Sequence, residues 1–89
     1  MRLKYRYMLR EVSGQWVAVA VGKDHADFNG MITLNAPGAF LLERLTQGEQ
    51  SREDLLSALL DRYNVTPERA EEDLDKFLQV LRDGNILVE

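Results

Sequence analysis

The sequence contains no cysteine. That excludes a disulfide framework, a thiolate zinc site and a thiol nucleophile, and it fits a reducing cytoplasm better than an oxidising compartment. Histidine is nearly absent too: His25 stands alone between Asp24 and Ala26. With no second imidazole there is neither a ligand pair nor a base to activate a nucleophile, which removes most enzyme chemistries. The small cluster of Asp24, His25 and Asp27 reads as solvated loop chemistry rather than a metal site. No glycine-rich phosphate loop occurs either, and no cofactor is expected. Long apolar runs are lacking: the longest, Trp16 to Val21, is far short of the roughly 20 residues that cross a bilayer, and the first residues have no signal-peptide centre. Neither a membrane nor export is indicated. Two prolines and six glycines are too few for a linker or a low-complexity stretch. At 89 residues the chain is one domain, since a second core would take about another hundred.

What is present is the balance of a globular chain, 45% hydrophobic and 29% charged. Charge is unevenly spread. Residues 1–35 hold five cations against three carboxylates, whereas residues 36–89 hold six against twelve. The second half is therefore strongly acidic, the wrong sign for a phosphate backbone.

The first third has the period of strands. Tyr5, Tyr7 and Leu9 alternate with Arg6, Met8 and Arg10, as expected when one sheet face is buried and the other wet. Ser13-Gly14 marks a hairpin turn, and Trp16 to Val21 forms a second strand. Val17, Val19 and Val21 fall on one of its faces and Trp16, Ala18 and Ala20 on the other, so both faces are expected to be covered. Residues 22–30 are a loop by composition. A short third strand, Met31 to Leu34, follows, with Ile32 and Leu34 on one face.

After Asn35 the period is helical. Asn35 is placed to cap a first helix with Pro37 in its opening turn, and Gly48 ends it. Ser51 caps a second, with Asp54 in the reciprocal capping-box position and an apolar stripe of Leu55, Leu56, Leu59, Leu60 and Tyr63. Thr66-Pro67 opens a third, whose Ala70, Leu74, Phe77, Leu78 and Leu81 share one face until Gly84. Ile86 to Val88 is either a closing strand or a tail packed on the core. The expected fold is α+β: a three-stranded antiparallel sheet followed by a three-helix bundle, winged-helix-like because two helices joined by a brief connection accompany a hairpin.

The run from Leu34 to Leu45 (LNAPGAFLLERL) with Gly48, Asp54-Leu55 to Leu60, Tyr63-Asn64-Val65, Asp73-Leu74, Phe77-Leu78, Leu81 and Gly84 to Leu87 resembles the PqqD-like proteins, the recognition elements of ribosomally made, modified peptides. The likeness extends from about Val12 to the end of the chain; it departs from the family's usual Thr or Ser at Pro37, a change confined to the first turn of a helix. The resemblance implies a non-catalytic winged-helix-like domain to which the leader segment of a precursor peptide adds as an extra strand. Carried onto this chain, the edge is Met31, Ile32, Thr33 and Leu34, and the helical wall is the flank bearing Arg69, Asp73, Lys76, Phe77 and Val80. The implied partners are that peptide and a modifying enzyme such as a radical SAM maturase, a cyclase or a protease. Strand addition supplies the physics, because an edge offers unpaired amides and carbonyls while side-chain pockets select sequence.

The alternative is a winged helix-turn-helix transcriptional regulator that reads DNA with its third helix. Pro67 to Asp83 holds three cations against six carboxylates. A reading helix needs the opposite balance, so no nucleic-acid partner is expected. The basic N-terminal segment, with Arg2, Lys4, Arg6 and Arg10 around Tyr5 and Tyr7, reads as an outer strand face on which cations deter edge-to-edge pairing.

Overall fold

The chain folds in the order β1 (Arg2–Leu3), β2 (Arg6–Val12), β3 (Gln15–Val21), β4 (Met31–Leu34), α1 (Ala36–Gln47), α2 (Arg52–Arg62), α3 (Pro67–Asp83) and β5 (Leu87–Val88), in a computed structural model that describes residues 1–21 and 31–89. Asp24, His25 and Asp27 lie outside the described residues.

Ser13 and Gly14 both take positive φ, 52° and 80°, which makes a two-residue turn of the mirror-image type whose twist matches that of the flanking strands. The turn sets Val12 opposite Gln15, and from there Leu9 faces Ala18 and Tyr7 faces Ala20. On the other side of β3, Trp16 faces Leu34 and Ala18 faces Ile32, so the antiparallel order is β2-β3-β4 and β4 is an edge.

One face of this sheet carries buried Tyr7, Ala18, Ala20 and Leu34. α1 packs on this face, and α2 and α3 pack on α1 and on each other, so that one core takes Leu41, Leu42 and Leu45 from α1, Leu55 and Leu59 from α2, and Leu74, Leu78 and Leu81 from α3. Each such leucine contributes about 1.5–3 kcal/mol of burial. The opposite face is open, against the expectation that β3 would be covered on both. Val19 is 39% exposed and its cross-strand neighbours Met8 and Met31 are 59% and 67% exposed. Valine fits a pleated surface whether or not anything covers it, so its presence did not report burial.

The helix starts follow the sequence. Asn35 accepts the Gly38 N–H at 2.9 Å, and Thr66 accepts that of Arg69 at 3.2 Å. At α2 the capping box closes in both directions, Asp54 N–H to Ser51 Oγ and Ser51 N–H to Asp54 Oδ2, each at 3.0 Å. At the end of α3, Gly84 keeps a helical conformation and Asn85 takes the left-handed one, φ 57°. The Ile86 N–H then donates to Leu81 O at 3.0 Å and the Asn85 N–H to Arg82 O at 3.0 Å, the paired bonds that reverse a chain after a helix.

That reversal feeds an element the periodicity does not announce. β5 pairs antiparallel with β1, Leu87 opposite Leu3 and Val88 opposite Arg2, so the last two residues of the apolar triplet form a strand. Lys4 anchors the crossing through its backbone N–H to Ile86 O and its Nζ to Asn85 Oδ1, both at 2.8 Å. Ile86 is fully buried beneath it.

Candidate functional site

β4 is followed without a loop by the Asn35 cap, so the strand runs directly into α1. α3 passes alongside. Between them lies a cleft of about 190 Å³. Thr33 and Leu34 form its strand side, Phe77 and Val80 with Asp73 and Lys76 its α3 side, and Asn35, Pro37, Gly38 and Leu41 the end supplied by α1. Phe77 and Leu41 are buried and serve as floor, whereas Val80 is 48% exposed and stands at the mouth. Gly38 permits the close approach of α1 to the strand: a Cβ there would lie 3.0 Å from Asn35 Oδ1 and 3.3 Å from Leu34 Cδ2.

The rim is charged but balanced. Lys76 Nζ pairs with Glu72 at 3.1 Å and Arg69 Nε with Asp73 at 3.3 Å, both one helical turn apart. Such exposed pairs are worth only about 0.3–0.5 kcal/mol, so a ligand can displace either partner at small cost.

Thr33, Leu34, Asp73, Lys76, Phe77 and Val80 are thus brought together at one cleft. Met31 and Ile32 continue the same edge, but the Met31 side chain lies on the open face and Ile32 is half-buried on the inner one, packed against the core. Arg69 stands outside the lining and reaches it through its pair with Asp73. Asn35, Pro37, Gly38 and Leu41 were not foreseen as lining. Their signal was the absence of any loop residue between strand and cap in Leu34-Asn35-Ala36-Pro37-Gly38, which forces the first turn of α1 against the strand end.

Among the described residues no strand pairs with the far edge of β4. Every second residue of an edge strand points its N–H and C=O away from the sheet, so this edge offers a ladder beside an apolar slot. A roomier cavity of about 420 Å³ lies between α1 and α2, but its charged residues Arg44, Asp54, Asp61 and Arg62 are of mixed sign and Asp54 is committed to the capping box. It presents no strand edge.

Among the described residues no three histidine, cysteine or carboxylate side chains are placed to hold a metal ion, and no helix is long and apolar enough to cross a membrane. The architecture is a winged-helix-like α+β domain in which the outer edge of β4 lies beside the α3 flank. The sequence matches the model of the coenzyme PQQ synthesis protein D (PqqD) family over residues 15–87, and the chain belongs to that family. Its fold is similar to that of two solved structures. TbiB1 in complex with the TbiA(beta) leader peptide is 21% identical with a TM-score of 0.72, over 98% of this chain and 94% of that one. Lasso peptide synthetase B1 complexed with the leader peptide is 22% identical with a TM-score of 0.68, over 99% and 96%. No curated protein matches the sequence.

Proposed function

We propose that this chain is a leader-recognition module: it captures a ribosomal precursor peptide by strand addition at β4 and presents it to a modifying enzyme. The observation that carries this reading is the open edge of β4 lying beside the apolar cleft floored by Phe77 and Leu41. An extended peptide along that edge gains backbone hydrogen bonds whatever its sequence, and its alternate side chains turn into the cleft, where shape and apolarity select them. Lys76 and Asp73 at the rim add a preference among the flanking charged residues of the peptide. Family membership and the leader peptides bound by TbiB1 and lasso peptide synthetase B1 support the same assignment.

In this role the chain performs no bond chemistry. The reaction belongs to the enzyme that receives the loaded complex, a radical SAM maturase, a cyclase or a protease. What the module supplies is effective concentration, since a peptide held on the enzyme's partner need not be found afresh.

An NMR titration with a synthetic leader peptide of a candidate ribosomal precursor tests the assignment. Shifts should concentrate at residues 31–34 and at Asp73 to Val80. Shifts confined to residues 51–63 or to the basic N-terminal strands would overturn the placement.

A further inference from the structure

The open face of the sheet is not a random surface. Met8, Val19 and Met31 stand directly opposite one another across β2, β3 and β4, 59%, 39% and 67% exposed, and Val12 beyond them is 50% exposed. Arg6 and Arg10 flank Met8 on the same face and form no ion pair among the described residues. The one carboxylate in these three strands, Glu11, lies opposite Trp16 on the inner face. Among the described residues this is an apolar row with cations beside it and no anion, a surface arranged for a complement that carries carboxylates around an apolar centre.

We propose that this face docks the enzyme that acts on the captured peptide, through an apolar patch rimmed by Asp and Glu on that enzyme. The proposal rests on the leader-binding reading and adds to it where the loaded module is received. Charge argues against the other occupants. A second copy packed face to face would bring the arginines of both chains together, and the three strands offer no carboxylate on that face to pair them. A nucleic acid or an anionic bilayer gains about 1 kcal/mol per cation near its surface, and two cations do not outweigh a chain of net charge −4. Continuity is the second argument. A peptide strand added at β4 extends the same sheet, so its outward side chains fall in line beside Met31 and widen the row that begins at Met8. The complete surface then exists only on the loaded module, and an enzyme that docks there distinguishes loaded from empty.

The test uses the full chain, a leader peptide and the purified enzyme that modifies its precursor, with Met8→Glu and Arg10→Glu as variants. Both positions are exposed, and a denaturant titration of each variant checks that it folds. Leader affinity should stay within about twofold of the parent, while affinity of the loaded module for the enzyme should fall about tenfold for each variant, the loss at Arg10→Glu shrinking as salt rises. The parent should also bind the enzyme more tightly with leader than without. Enzyme binding that both folded variants retain would overturn this proposal and leave the leader reading standing. A parent chain that fails to bind leader would overturn both. If Met8→Glu instead abolishes self-association in sedimentation, or binding to phosphatidylserine vesicles, while enzyme binding is unchanged, the face belongs to a second copy or to a membrane and the proposal is wrong.

Discussion

Asn35 Oδ1 accepts the Gly38 N–H at 2.9 Å and lies 3.0 Å from the point where a side chain at Gly38 would begin. The residue that caps α1 therefore also lines the end of the cleft, where the bare Cα of Gly38 lets Asn35 and Leu34 close in. Asn35 thus serves the helix start and the cleft wall at once.

Asn35→Ala should accordingly cost about 1 kcal/mol of stability and, separately, lower leader affinity by loosening the α1 end of the cleft. Denaturant titration reads the first effect and calorimetric titration of the leader reads the second. Asn35→Asp, which keeps an accepting oxygen, should restore most of the stability.

Val80→Asp should weaken leader binding about tenfold or more while leaving the fold intact. Val80 is half exposed at the mouth of the cleft, so the substitution spares the buried stripe but sets a carboxylate where an apolar side chain must be sealed. Unchanged affinity by calorimetry would remove Val80 from the site.

If the ligand is held as a strand, its backbone must show it. A series of leader peptides, each N-methylated at a single residue, should lose affinity with a period of two, because only every second amide points at β4. A flat response would mean that side chains alone hold the peptide.

Specific duplex DNA binding at physiological salt should be absent. In α3, Arg69 is paired with Asp73, Lys76 with Glu72 and Arg82 with Glu89 at 2.8 Å, so each cation of the would-be reading helix already has a carboxylate. A salt-dependent, sequence-selective mobility shift at submicromolar protein would contradict this.

Burial, and next to it the charge of Tyr5, pushes the Tyr7 hydroxyl from 10.0 up to about 12. The unfolded chain then releases this proton first, so the contribution of Tyr7 to stability is intact below pH 10 and is lost as pH rises toward about 12. Unfolding free energy should fall more steeply across that interval for the parent than for Tyr7→Phe. Parallel curves would show that the hydroxyl titrates normally.

The parts of the fold that could be read in advance are those whose cause is local. Ser51 and Asp54 are three residues apart and close a box that needs nothing else, and the Ser13-Gly14 turn dictates its own hairpin. The cleft was legible on its strand and α3 sides for a different reason: Leu34, Phe77 and Val80 follow from resemblance, not from period. What stayed hidden depends on distance. Leu3 meets Leu87 across nearly the whole chain, and a strand of two residues has no alternation to betray it. Asn85 could not be told from Gly84 as the left-handed residue, because either type tolerates that conformation. The valines of β3 suggested cover on both faces, and Val19 shows that β-branching follows the pleat rather than the solvent.

The clasp of β1 on β5 has a consequence for how such a domain is used. It holds residues 2–3 and 87–88 one strand spacing apart, about 5 Å, and neither they nor Lys4 line the cleft. A domain whose way in and way out are neighbours behaves as a cassette: it can be spliced into a surface loop of a host protein, or hung from either terminus of one, without stretching the host or disturbing the slot beside β4. The same geometry that seals Ile86 makes the module portable.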